Sequence, residues 1–337
     1  MTSTTPQNAP FGSILAEVMA IAWYRKGQWE PSELKAVGPI EIHPAAHVLH
    51  YGSECFEGFK AYKFPDGSVH VFRMERHLER LRQSARSLLL PEPDARQVAD
   101  MVNAVVDRSR AAVPDAPGAL YLRPLLFGTM PNIGAATLPT DEACLVVLAS
   151  PVWDYFTGGG KPLNIYIEEH ATRCASHLGM VKTGGNYAAA LGPTLAARRD
   201  HHADQVLFCP NGEVQEAGAA NFLAIREGHI LTRGLDSTFL HGVTRDSLLK
   251  LAPELGYRVE ERNFTVDELL EWVKTGEAAL SGTAAVLSGV GTLNRGGTLH
   301  RVGSGGIGPH TARLRAALTS IQHGTAPDRH RWLTRVD

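Results

Sequence analysis

Cysteine is scarce in this sequence. Four residues, Cys55, Cys144, Cys174 and Cys209, stand far apart in 337. No pair has C-x-x-C spacing, which excludes a zinc knuckle and a thioredoxin motif, and the density is too low for a disulfide scaffold. They read as reduced, packed thiols, so a reducing cytoplasm is the expected compartment. Net charge is nearly absent as well. The 33 basic and 35 acidic side chains leave −2, so no overall positive field draws the chain to nucleic acid or anionic lipid. Long apolar runs are missing. The longest uncharged stretch, Pro124 to Thr140, contains three prolines and two glycines, and no segment reads as a bilayer-spanning helix. Met1 to Pro10 is polar and lacks the basic-then-apolar order of a signal peptide. No internal repeat is visible.

What is present is an ordinary globular composition, 44% hydrophobic and 20% charged, with length enough for about two domains at ~150 residues each. Ile14 to Trp29 reads as a first strand. Residues 59–73 read as a hairpin about the turn Pro65-Asp66-Gly67. Arg76 to Leu90 reads as a helix, and Asp94 to Val113 as a second, with Val98, Met101, Val102, Val105 and Val106 on one face. Ala119 to Phe127 and Ala143 to Ala149 read as strands. Gly158-Gly159-Gly160 loosens the chain before Pro162, and a domain boundary is expected there. Beyond it, 163–169, Asp204 to Phe208 and Asn221 to Ile225 read as strands. Asn186 to Arg199 reads as a helix broken at Gly192-Pro193. Helices are also expected over Thr244 to Leu255, Thr265 to Lys274 and Pro309 to Gln322. The order has no strict βαβ rhythm, which favours an α+β class over a doubly wound sheet.

Four short stretches carry chemistry. In Val181-Lys182-Thr183-Gly184-Gly185-Asn186-Tyr187, a lysine precedes two glycines that let the backbone approach a ligand. Its amine can form a Schiff base with an aldehyde, although a lysine before a turn is by itself more often a surface residue. Glu216, among small apolar neighbours, suits a buried carboxylate, and a buried carboxylate needs a partner. A pyridinium nitrogen is one such partner; a solvated strand end is the plain alternative. Leu240-His241-Gly242-Val243-Thr244-Arg245 opens a helix, with Thr244 expected as its N-cap and anion-binding N–H groups behind it. Ser281-Gly282-Thr283-Ala284-Ala285 offers hydroxyls and N–H groups at a turn. A lysine, an acid and two anion cradles together match what pyridoxal phosphate requires.

From about Ala45 to the C-terminus the chain resembles the branched-chain amino acid aminotransferases of the fold-type IV pyridoxal-phosphate enzymes. The matching stretches are Leu49-His50-Tyr51-Gly52, Phe56-Glu57-Gly58, Val71-Phe72-Arg73, Tyr121-Leu122-Arg123-Pro124, Lys182 to Tyr187, Glu216 to Asn221, Gly242 to Arg245 and Ser281 to Ala285. The resemblance implies that Lys182 anchors the cofactor and then moves the proton between substrate Cα and cofactor C4′. It implies Glu216 on the pyridine nitrogen, Tyr187 on the ring oxygen and Leu240 against the ring. Arg73, Val243, Thr244 and Thr283 would hold the phosphate. Tyr51, Phe56, Tyr121, Arg123 and Tyr155 would line the substrate pocket, with N–H groups of Thr283 and Ala284 for the substrate carboxylate. Implied too are a small N-terminal α/β domain (1–156), an interdomain loop (157–162) and a larger C-terminal pseudo-barrel domain (163–337), assembled as a homodimer or larger. The expected reaction is ping-pong transfer of an amino group from a hydrophobic L-amino acid to 2-oxoglutarate. No metal is expected.

The chain departs from the family pattern in places. Trp153-Asp154 replace the usual Gly-Ala before Tyr155, His241 stands where a proline is usual, Arg173 to Met180 diverges, and Ser288-Gly289 replace Thr-Pro. All leave the cofactor residues intact and bear on substrate choice. A hydrophobic pocket separates one methylene by only ~1–3 kcal/mol, so the sequence singles out none of leucine, isoleucine and valine. D-amino acid aminotransferase and aminodeoxychorismate lyase share the lysine, acid and phosphate cup. The D-specific pattern has a histidine where Leu125 stands here. A remote alternative is a serine acyl-enzyme, from S-x-x-K at Ser32–Lys35 and K-T-G at Lys182–Gly184, but its S-D-N mark is missing. G-x-G-x-x-G at Gly303–Gly308 has too little chain after it for a dinucleotide fold. Arg199-Asp200-His201-His202 reads as a solvated helix end rather than a metal site.

Overall fold

Twisted antiparallel pairing dominates the first part of the chain. The structure is a computed structural model, and it describes residues 9–153 and 160–336. The chain divides into two compact units: Met1–Tyr155 with Val181–Gly184 and Ile321–Asp337, and Phe156–Met180 with Gly185–Ser320.

Among the described residues, the first unit holds a nine-stranded sheet. Its order runs Leu333–Val336, Val69–Phe72, Phe59–Lys63, Ala119–Gly128, Ala143–Val152, Val18–Arg25, Gln28–Trp29, with Glu33–Ala36 on Val18–Arg25 and Glu54–Phe56 on Ala119–Gly128. Helices Met74–Ser87 and Ala95–Arg108 bury Leu78, Leu81, Val98, Met101, Val102, Val105 and Val106 against it, as the apolar spacing of the second helix requires. The expected single strand 14–29 is two strands. Lys26 and Gly27, at φ of 51° and 79°, turn the chain so that Arg25 pairs with Gln28. Two positive φ values in succession give the tight reversal that matches strand twist.

The second unit holds another sheet of nine strands among the described residues. Leu163–Glu168, Gln205–Phe208, Glu216–Ala217, Asn221–Arg226, Glu277–Gly282 and Val286–Arg295 close on themselves. The closing pair is Glu216–Ala217 with Asn221–Arg226. The ring is a small barrel filled by Leu207, Phe222, Leu280 and Leu293, and closure leaves those six strands no free edge. Each unit mixes helices with a sheet, so the α+β expectation holds.

Two local expectations need correction. The helix Gly184–His201 runs unbroken with Pro193 inside it. Ala189 and Gly192 beside the proline are exposed, so water can serve the carbonyl that loses its donor. Thr244 is not an N-cap. The helix is Val243–Leu251 and its N-cap is Gly242, in extended conformation with no side-chain cap. Gly303–Gly308 is a loop before helix Pro309–Gln322, tied by Arg301 Nε donating to the Ser304 carbonyl at 2.9 Å. At the end of the 184–201 helix Arg199 pairs with Asp200 in solvent, while His201 stacks on Tyr166 with ring centroids 4.4 Å apart.

Candidate active site

In the first unit the segment Val181–Gly184 is fixed through its backbone. The Lys182 N–H donates to Ser84 Oγ at 3.0 Å, and the Lys182 carbonyl accepts from the Phe56 N–H at 3.0 Å. Glu54 Oε1 accepts from Thr183 Oγ1 at 3.0 Å and from the Gly184 N–H. Glu54 and Phe56 are two apart on one strand, so both side chains point to the same face. The Lys182 ammonium lies 4.8 Å from the Phe56 ring centroid, and the Arg123 guanidinium lies 4.6 Å from it. Two cations over one aromatic ring make Phe56 the centre of this cluster. Arg123 Nη2 donates to Tyr121 Oη at 2.9 Å, while its buried Nε has no partner among the described residues. That N–H is available to a ligand. Gly58 keeps this cluster open: a Cβ there would lie 1.9 Å from Tyr121 Oη.

Beneath Phe56 the next residue is a fully buried acid. Glu57 takes two hydrogen bonds from Arg80, at 2.6 and 2.9 Å, and one from His77 Nδ1 at 2.7 Å. Burial alone would raise its pKa, but the Arg80 charge and His77 outweigh it and hold the carboxyl well below the usual range. Burial pushes His77 down toward its neutral form, which suits an Nδ1–H donating to a carboxylate.

Arg73 is buried ahead of helix Met74–Ser87, at φ 54°. Its N–H donates to the Trp332 carbonyl at 2.6 Å and its guanidinium lies 5.0 Å from the Trp332 ring centroid. Tyr51 ends the short helix His47–Tyr51 and donates its hydroxyl to the Ile133 carbonyl. Tyr155 lies outside the described residues.

The second unit builds a buried acid. Glu216 and Arg173 are each 2% exposed, and Arg173 Nη1 lies 2.8 Å from Glu216 Oε1. The Leu240 N–H donates to the same oxygen at 3.1 Å, and Asn221 Nδ2 donates to the Leu240 carbonyl at 2.8 Å. Arg173 also covers Tyr187, its guanidinium 5.5 Å from the ring centroid. So Glu216, Leu240 and Tyr187 are gathered around Arg173. Cross-strand pairing puts Glu216, Asn221 and Ser281 in one row, where side chains share a face. Ser281 Oγ is buried there without a partner among the described residues. Val243 and Thr244 open their helix with first-turn N–H groups that no side chain caps. A Cβ at Gly242 would meet Asn221 Oδ1 at 1.9 Å, so only bare backbone fits. Thr283 and Ala284 lie in the turn between Glu277–Gly282 and Val286–Arg295.

These groups fit pyridoxal phosphate. An uncapped helix start suits a phosphate, a buried carboxylate suits a pyridinium, and the Ser281 hydroxyl, buried in the Glu216 row without a partner among the described residues, can bond a polar ligand. Arg173 and Glu54 escape sequence reasoning. Arg173 stands out there only as part of a divergent stretch, and its partner becomes visible once the barrel closes.

A model of the amino-transferase class IV family matches residues 54–291. The branched-chain-amino-acid aminotransferase of Mycobacterium tuberculosis (strain ATCC 25618 / H37Rv) is 38% identical over 341 residues, covering 97% of this chain and 92% of the relative. Branched-chain-amino-acid aminotransferase 5, chloroplastic, of Arabidopsis thaliana is 36% identical, covering 93% and 75%. Among solved structures, a T.th. branched-chain amino acid aminotransferase with pyridoxamine 5'-phosphate aligns with a TM-score of 0.80 at 26% identity, covering 96% of this chain and all of that one. The same enzyme complexed with N-(5'-phosphopyridoxyl)-L-glutamate aligns at 0.78.

Proposed function

The chain belongs to the class IV aminotransferases, and we infer that it moves the amino group of a branched-chain L-amino acid to 2-oxoglutarate with pyridoxal phosphate as cofactor. The observation that carries this reading is the pairing of two features in one chain. One is a lysine fixed at both backbone ends beside an aromatic ring and an arginine. The other is a carboxylate buried against an arginine. A non-enzymatic binding module has no use for both.

Bound pyridoxal phosphate supplies an electron-poor pyridinium ring that takes up the electron pair released when the substrate Cα–H bond breaks. The remaining work falls to the chain. Lys182 Nζ holds the cofactor's aldehyde carbon and then carries the proton to and from substrate Cα. Glu216 accepts the ring N–H, and Arg173 keeps that carboxyl charged by compensating its burial. Leu240 packs on the ring, and Tyr187 hydrogen-bonds the ring oxygen. Arg73, Thr283 and the N–H groups of Val243 and Thr244 hold the phosphate. Tyr51, Phe56 and Tyr121 line the substrate side, and the Thr283 and Ala284 N–H groups take the substrate carboxylate. Arg123 takes the side-chain carboxylate of glutamate or 2-oxoglutarate; its buried Nε, without a partner among the described residues, supports that role.

A homodimer or larger homo-oligomer in the cytoplasm is part of the same proposal. Leu49, Ile133 and Leu138 are 57%, 70% and 57% exposed, an apolar surface that self-association would cover. All four cysteines are free, which suits a reducing compartment. No helix among the described residues is long and apolar enough to cross a membrane. The branched-chain names of the relatives leave the D-amino acid aminotransferase and aminodeoxychorismate lyase readings without support. The acyl-enzyme reading fails on Ser32, which is exposed beside an edge strand. The test is substrate-dependent turnover: L-leucine with 2-oxoglutarate gives glutamate, and sedimentation shows a species of at least two chains. A monomer without turnover on leucine, isoleucine and valine contradicts the proposal.

A further inference from the structure

Lys182 is held by a strand more than a hundred residues earlier in the chain, and the group nearest its C-terminal side is a carboxylate. Glu54 Oε1 receives Thr183 Oγ1 at 3.0 Å and the Gly184 N–H. Gly184 is required for this approach, because a Cβ there would stand 2.5 Å from the same oxygen. With Ser84 on the Lys182 N–H and the Phe56 N–H on its carbonyl, consecutive residues 182, 183 and 184 are each tied down. Glu54 closes the last two of these ties. The cations that face Glu54 are Arg123, from the neighbouring strand, and Lys182 itself; both favour its charged form. Burial acts the other way and is the largest influence, raising the carboxyl above its ordinary value. On its own strand, Cys55 is buried and pushed up, so it stays a neutral thiol. Glu57 spends its charge on Arg80 and His77. Glu54 is therefore the one of these acids turned toward the 182–184 segment.

We propose that Glu54 is a positioning residue for Lys182: through Thr183 and Gly184 it fixes the segment that carries the lysine. This rests on Lys182 being the cofactor anchor. Substitution tests this: Glu54→Gln keeps an oxygen for Thr183 and Gly184, and Glu54→Ala removes it.

The experiment is the kinetics and visible absorbance of the cofactor-loaded protein, with melting of the cofactor-free protein as the fold control and Lys182→Ala alongside. In Glu54→Ala kcat falls roughly ten-fold or more at a KM within a few-fold of the parent, as expected for a displaced reacting group, and the visible spectrum changes with it. Glu54→Gln, which keeps the oxygen, recovers most of that loss. Should Glu54→Ala not fold, Thr183→Val, which removes one of the two ties, decides by the same readouts. An unchanged kcat and spectrum in the folded Glu54→Ala or Thr183→Val protein, beside an inactive Lys182→Ala, overturns the role of Glu54 and leaves the anchor reading intact. A Lys182→Ala protein with full turnover overturns the anchor reading and the proposal together.

Discussion

Lys182, Arg123 and Arg173 show how the fold gives ordinary side chains specific work. The backbone of Lys182 is bound on both sides, so its amine swings from a fixed base. Lys182→Ala is expected to lose turnover by at least three orders of magnitude, since anchor and proton carrier go together, while melting stays close to the parent. Arg123→Gln is expected to weaken the glutamate and 2-oxoglutarate half-reactions about ten-fold or more and the leucine half-reaction little. Equal losses in single-turnover assays would remove Arg123 from acceptor recognition. Arg173→Met leaves Glu216 buried without its cation, and breaking such a pair costs about 3–5 kcal/mol, measurable by urea unfolding. The sequence motif announces Lys182 and Glu216 because their neighbours are unusual locally. Arg173 and Glu54 announce nothing, because Gly218, which Arg173 also binds, lies 45 residues away, and Gly184 lies 130 residues from Glu54. Those pairings exist only after folding.

Elements are legible where local chemistry is strong. Helix Ala95–Arg108 is capped by Asp94, which accepts from the Gln97 N–H at 2.9 Å, and its apolar spacing is regular. Helix Val266–Trp272 begins with a side-chain N-cap: Thr265 Oγ1 accepts from the Glu268 N–H at 3.2 Å. Thr265→Ala should therefore cost about 1 kcal/mol, seen as a lower urea midpoint with an unchanged slope; no shift would mean the cap is dispensable. The strands Arg258–Glu261, Thr298–Arg301 and Leu333–Val336 are not legible in the sequence, because each is four residues long and partly exposed. Such strands lack an alternating core face and exist through pairing with a neighbour. The Gly242 cap is hidden for a different reason. A threonine nearby is the better cap by composition, and what keeps position 242 a glycine is the Asn221 side chain packed against it.

At the scale of the whole molecule, acid sensitivity follows from the network under Phe56. Glu57 has its pKa lowered from 4.5 in the folded state, so its contribution is present above about pH 4.5 and is lost as pH falls below it. His77, lowered from 6.5 by burial, binds its proton more readily unfolded, so stability also drops as pH falls below that value. Arg80→Met should cost about 3–5 kcal/mol at pH 7 and flatten the loss below about pH 4.5; an unchanged acid slope would contradict the assignment. The return of the chain's end to the first sheet is not legible in the sequence, since Leu333–Val336 joins Val69–Phe72 through a contact no local pattern records. One chain carries out both halves of the proposed amino-group exchange. The sharpest test is the visible absorbance of the pyridoxal-phosphate-loaded protein as L-leucine and then 2-oxoglutarate are added. The expected result is colour that bleaches with leucine and returns with 2-oxoglutarate. A loaded protein whose colour neither substrate changes, or a protein that never takes up the cofactor, would refute the exchange.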